Sequence, residues 1–188
     1  MKLLAFAASL RTASLNRKLI HQASLLLRST PHIDVDLADF REFEMPMYDG
    51  DLETREGIPP GGLEFIRRIQ MADGLVIATP EYNGGMPGTL KNAIDWASRT
   101  DPIPFEDKPV LLLGASPGGL GAVRSLAHCR IPLQTIGAHV YPDVFGLPRA
   151  HQAFDVSGAF LDTHQGSRLQ ALLLAYLNFV EKLTTRSS

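Results

Sequence analysis

Short, strongly apolar runs at residues 3–8, 74–79 and 109–114 recur with helix-patterned segments between them, and this alternation constrains the fold more than any other feature. Runs of that length with no polar alternation suit strands buried on both faces, which occur in parallel sheets covered by helices. Residues 15–27 place Leu15, Leu19, Ala23, Leu26 and Leu27 at helical spacing, giving a first strand–helix unit. Residues 33–38 alternate apolar and acidic, as expected of a strand near a sheet edge. Further helices are expected over 63–71, 90–97, 119–129 and 167–183, with a fifth strand over 138–141. Right-handed crossovers between such units give a doubly wound domain, and five of them suit a flavodoxin-like five-stranded parallel sheet of strand order 2-1-3-4-5 with helices on both faces.

The segment 41–60, rich in proline and glycine, reads as a long functional loop or exposed cover, and 147–165 as a surface excursion before the last helix. No repeat or linker divides the chain, so residues 1–188 are expected to form one domain. A net charge of −2 without a basic stripe argues against nucleic-acid binding and against a polybasic membrane anchor. Cys129 is the sole cysteine, which excludes an internal disulfide and suits a buried structural thiol. The start of the chain lacks the charged, long-apolar and cleavage regions of a signal peptide, and no run approaches a spanning helix, so a cytoplasmic location is expected.

Three loops follow predicted strands and therefore fall on one edge of the sheet, where open α/β folds bind ligands. The first, Ser9-Leu10-Arg11-Thr12-Ala13-Ser14-Leu15-Asn16, combines hydroxyl and amide donors, a helix N-terminus and an arginine fork, a set able to hold a phosphate without a metal. Its bland alternative makes Ser14 an N-cap and Arg11 a solvated charge. The second, Pro80-Glu81-Tyr82-Asn83-Gly84-Gly85-Met86-Pro87-Gly88, offers Tyr82 to an aromatic ligand, Asn83 to an amide-like edge and Glu81 to a partner subunit, although Asn83-Gly84 is equally a tight-turn signal. The third, Ser116-Pro117-Gly118-Gly119, is backbone-rich and able to approach a flat ligand closely.

Residues 114–118 also match the G-x-S-x-G pattern of serine hydrolases, with Ser116 as nucleophile and Asp143 and His164 in triad order. Pro117 has no N–H for an oxyanion, which counts against that reading. Leu120 stands where a P-loop lysine belongs, and the six histidines show no paired metal spacing, so no metal site is expected.

Taken together, Ser9-Leu10-Arg11, Ser14-Leu15-Asn16-Arg17, Pro80-Glu81-Tyr82-Asn83, Pro87-Gly88, Leu90-Lys91-Asn92-Ala93-Ile94-Asp95-Trp96 and Ser116-Pro117-Gly118-Gly119 resemble the NADPH-dependent FMN reductase family, which includes quinone, azo and chromate reductases. The family pattern has a glycine where this chain has Ala8. The resemblance implies FMN as cofactor and NADPH or NADH as hydride donor. It implies Ser9, Arg11, Ser14, Leu15 and Asn16 around the phosphate, with Pro80, Glu81, Tyr82, Asn83, Ser116, Pro117, Gly118 and Gly119 along the isoalloxazine. No catalytic side chain is then required, because the flavin carries the hydride chemistry. Electrons would pass to free flavin, a quinone, an azo compound or an oxidised metal ion, and the protein would be a homodimer or homotetramer. A flavodoxin-like electron carrier or flavin sensor is the alternative from a different class.

Overall fold

A computed structural model describes residues 1–184 of the chain. Strands β1 (Lys2–Ala7), β2 (Asp34–Ala38), β3 (Gly74–Thr79) and β4 (Pro109–Ala115) pair in parallel in the order β2-β1-β3-β4. Beyond β4 lie two short strands, β5 (His139–Val140) and β6 (Phe145–Leu147). β5 pairs with Pro109 and Val110, and β6 with Leu113, Gly114 and Ala115, so together they fill the fifth position of the expected 2-1-3-4-5 sheet. The single fifth strand expected over 138–141 is therefore corrected to two pieces. Pro142 lacks the N–H that a continuous ladder needs, and the Arg130 guanidinium takes up the carbonyls of Tyr141 and Pro142 across the break.

Period-two alternation in the buried strands sends side chains to two helix layers. Leu4, Phe6, Leu75, Ile77, Val110 and Leu112 face one cluster, built with α3 (Pro60–Met71), α4 (Gly88–Ala97) and α5 (Val123–Thr135). Leu3, Ala5, Val76, Ala78, Leu111 and Leu113 face the other, built with α1 (Leu15–Arg28) and α6 (Thr163–Thr184). Each Leu, Ile or Phe fully removed from water contributes about 1.5–3 kcal/mol, so these layers fix the edge at which the loops emerge. α6 packs close enough to β3 that a Cβ at Gly74 would lie 2.7 Å from the Tyr176 hydroxyl, which is shared between the carbonyls of Leu75 and Pro109.

Three further expectations need correction. α5 runs from Val123 to Thr135 rather than over 119–129, because Gly121 and Ala122 both adopt positive φ and turn the chain before the helix starts. Segment 41–60, expected as a long functional loop or exposed cover, carries regular structure of its own. A 3₁₀ turn spans Phe40–Phe43, a short helix α2 spans Gly50–Glu56, and the stretch between them is strapped to α4. The Pro46 carbonyl accepts from Asn92 Nδ2 at 2.9 Å and Trp96 Nε1 at 2.8 Å, while the Tyr48 amide donates to Asn92 Oδ1 at 2.7 Å. Segment 147–165 likewise packs inward, with Ala150 and Phe154 buried and the Phe154 ring stacked on Phe160. Cys129 is buried as expected, and burial pushes its thiol up to about 11.

Candidate functional site

The first loop leaves the end of β1 through Ala8, whose amide bonds the Ala78 carbonyl of the neighbouring strand at 2.8 Å. Ala8 is fully buried in the core, so the methyl that replaces the family glycine is accommodated. Ser9 is 3 % exposed, yet its hydroxyl makes no hydrogen bond among the described residues. The amides of Leu10, Arg11, Thr12 and Ala13 also find no protein acceptor there. Ser14 caps α1, its oxygen accepting from the Asn16 and Arg17 amides, and its own proton stays available to a further acceptor. A run of free amides, a hydroxyl without a protein partner and a helix N-terminus with exposed Arg11 beside it has the donor chemistry for a phosphomonoester.

Asn16 differs from the sequence reading in what its side chain does. It is 2 % exposed and exchanges two hydrogen bonds with the backbone of Ala115, so its amide is committed to joining the first loop to the end of β4. Leu15 opens α1 and is half-buried.

The second loop begins at buried Pro80, whose carbonyl accepts from the Ser125 hydroxyl at 2.8 Å. Glu81 reaches across to α5. Its carboxylate accepts from the Arg124 side chain at 2.7 Å and from the amides of Arg124 and Ser125, which are orphan donors of that helix. Burial raises the Glu81 pKa, but the Arg124 fork and the two amides outweigh it and hold the group below its ordinary value. Within this chain the partner of Glu81 is thus an intramolecular arginine. Tyr82 and Gly85 bond each other in both directions, and Asn83 (φ 51°) and Gly84 (φ 79°) form the tight turn between them. That turn leaves Tyr82 nearly half exposed, with Asn83 at the tip.

The third loop is buttressed by the chain after β6. The Ser116 amide donates to the Leu147 carbonyl, while the amides of Ala150 and Arg149 donate to the carbonyls of Ser116 and Gly118. With those carbonyls engaged from behind, the Gly118 and Gly119 amides make no protein hydrogen bond, and open space surrounds both Cα positions. Ser116 has no triad. Its hydroxyl reaches only the Gly118 carbonyl at 3.5 Å, α5 starts seven residues later, and neither Asp143 nor His164 bonds it.

The three loops therefore meet through Ala8–Ala78, Asn16–Ala115 and Glu81–Arg124. The wall beside them comes largely from the 41–60 segment, which the sequence reads only as a functional loop or exposed cover. A groove of about 510 Å³ is bounded by Leu10, Phe40, Phe43, Met45, Met47 and Thr89, so the strapped 40–48 segment belongs to the site region. The helix-like spacing of Phe40 and Phe43 was the available signal, and Phe40 stacks on Phe6 of β1 at 5.5 Å.

A doubly wound parallel sheet with three ligand-ready loops at the carboxyl edge defines a flavodoxin-like α/β protein of the mononucleotide-binding kind. The comparisons narrow this class. The model of the NADPH-dependent FMN reductase family matches residues 1–152, and the chain belongs to that family of oxidoreductases. It is 38 % identical over 185 residues to an NAD(P)H-dependent FMN reductase of Pseudomonas aeruginosa, covering 97 % of both chains. It is 36 % identical over 142 residues to the quinone reductase of Escherichia coli K12, covering 74 % of this chain and 76 % of the other. Among solved structures, the flavoenzyme NAD(P)H:(acceptor) oxidoreductase FerB of Paracoccus denitrificans superposes with a TM-score of 0.83 at 30 % identity, covering 96 % of this chain and 97 % of that one. An oxidised flavodoxin from Bacillus cereus shares the fold, with a TM-score of 0.61 at 12 % identity.

Proposed function

We propose that this chain is an FMN-dependent NAD(P)H oxidoreductase that delivers electrons to a quinone or a free flavin. The observation that carries the reading is the first loop, where the Ser9 hydroxyl, without a protein partner, stands beside four free backbone amides. Those residues fit a flavin phosphate, and the neighbouring loops fit a planar ring. Family membership and the relatives' activities support the same cofactor and donor.

In this reading Ser9, Arg11 and the proton of Ser14 hold the phosphate, with the amide of Leu15 at the start of the helix. Asn16 acts one step behind them by fixing the loop against Ala115. Pro80, Glu81, Tyr82 and Asn83 lie along one side of the ring, and Ser116, Pro117, Gly118 and Gly119 along another. The free Gly118, Gly119 and Asn83 amides are preorganised donors for negative charge on a reduced ring, a stabilisation that needs no ionisable side chain. Bound FMN supplies hydride acceptance from the nicotinamide and two-electron delivery to the acceptor. Half-exposed Tyr82 is placed to pack against an incoming aromatic acceptor.

We further propose that residues 1–188 work as one domain in a cytoplasmic homodimer or homotetramer; residues 185–188 of that span lie outside the described residues. No helix among the described residues is long and apolar enough to cross a membrane. The test is turnover of FMN-loaded protein with NADPH and a benzoquinone. One quinone reduced per NADPH oxidised is expected, with turnover lost when the flavin is stripped and restored when FMN is returned. NADPH oxidation that is indifferent to FMN would overturn the reading.

A further inference from the structure

Arg41 stands outside the first loop, in the wall of the groove beside it. Its guanidinium donates to the Leu10 carbonyl through Nε at 3.0 Å and again through Nη2. The arginine is aimed by a rigid turn. Asp39 and Glu42 form a reciprocal capping box around Phe40–Phe43, the Arg41 amide donates to Asp39 Oδ1, and Asp39 Oδ2 pairs with Arg17 of α1 at 3.0 Å. Phe40 is stacked on Phe6, and Glu42 is paired with Arg68, so the turn is held from both ends.

The carbonyl of Leu10 and the amide of Arg11 belong to one planar trans peptide, in which the oxygen and the hydrogen point in opposite directions. Holding the Leu10 oxygen toward Arg41 therefore directs the Arg11 N–H the other way. A loop that presents successive amides to an anion needs its carbonyl oxygens turned out, since an inward oxygen repels the anion. A charge-assisted, two-pronged bond is the strong way to fix one, and it also polarises the attached N–H.

We propose that Arg41 is a positioning residue for the cofactor phosphate: it locks the Leu10–Arg11 peptide so that the Arg11 amide donates into the phosphate loop, and it places a positive charge beside that loop. This rests on the phosphate assignment made above and assigns a function to a residue outside the loop that would touch the cofactor.

The test compares FMN with riboflavin, which lacks the phosphate, by quenching of flavin fluorescence in the wild type, Arg41→Ala and Arg41→Lys, with thermal melting as the check on folding. The readout is the ratio of the riboflavin Kd to the FMN Kd. In Arg41→Ala the ratio is expected to fall about tenfold, the loss of one strong charge-assisted interaction, while riboflavin affinity changes less than about twofold. Arg41→Lys, which keeps the charge and a single donor, is expected to fall between and to report even if the alanine variant does not fold. An unchanged ratio in both variants would overturn the proposal and leave the phosphate loop intact. Equal loss of both ligands would also overturn it, by reducing Arg41 to a support for the Phe40–Phe43 turn. A wild-type ratio near one would remove the phosphate assignment itself, and the proposal with it.

Discussion

Asn16 and Ala115, 99 positions apart, close the site from within: Asn16 Nδ2 donates to the Ala115 carbonyl at 3.0 Å and the Ala115 amide donates back to Asn16 Oδ1 at 2.8 Å. The side chain imitates one rung of a β ladder at the point where β4 ends, so the first and third loops share a single fixed reference. Asn16→Ala leaves a buried amide and carbonyl unpaired, and a loss of about 2–4 kcal/mol in denaturant-measured stability is expected. FMN and riboflavin should weaken by the same factor, because the change loosens the frame of the site and removes no phosphate donor.

Arg11→Ala separates frame from ligand contact. Arg11 is exposed and makes no ion pair among the described residues, so its removal should leave stability within about 0.5 kcal/mol. FMN affinity should fall at least about fivefold, with riboflavin unaffected. Equal weakening of both flavins, read by fluorescence titration, would remove Arg11 from the phosphate site.

Glu81 links the second loop to the start of α5, and its strength follows the protonation of one carboxylate. The folded protein holds Glu81 below the ordinary 4.5, so the unfolded chain binds the proton more readily. Stability from this group is fully present above about pH 4.5 and is lost as pH falls through the lower folded value. Glu81→Gln should therefore be less stable than the wild type by about 1 kcal/mol at neutral pH, with the gap closing in acid. Urea melts at neutral pH and near pH 3 check this, and a gap that widens in acid would contradict it.

The parts of this account that sequence made legible are those with a strong local period. β3, the loop that follows it and α4 were readable because an apolar run, a Gly/Pro turn and a helical face succeed one another within two dozen residues. Ser14 was readable as a cap, and Asn83-Gly84 as a turn, from local stereochemistry alone. The commitment of Asn16 was not, since asparagine in a donor-rich loop suggests a ligand donor and its partner lies in β4. The strap at Pro46 was hidden for the same reason: Asn92 and Trp96 stand in a helix-patterned run, with nothing to say that their polar atoms hold a distant carbonyl. The divided fifth strand failed for a different reason, because two or three residues are too few to show a period.

Ser116 tests the hydrolase pattern directly. With no histidine in contact and Pro117 unable to donate to an oxyanion, wild-type protein should form no adduct with an organophosphonate. Ser116→Ala should keep NADPH-dependent quinone reduction within about threefold, the scale of one neutral hydrogen bond. Stoichiometric labelling abolished by the substitution would revive the nucleophile.

The central claim is that the three loops hold a flavin that a nicotinamide reduces. The most direct measurement mixes protein freed of unbound FMN with NADPH in the absence of oxygen and follows the oxidised-flavin absorbance. Rapid bleaching, reversed on addition of a quinone, is the predicted result. Retained flavin that stays oxidised with both NADPH and NADH, yet is reduced by a separate electron-donor protein, would contradict the account and make the chain an electron carrier.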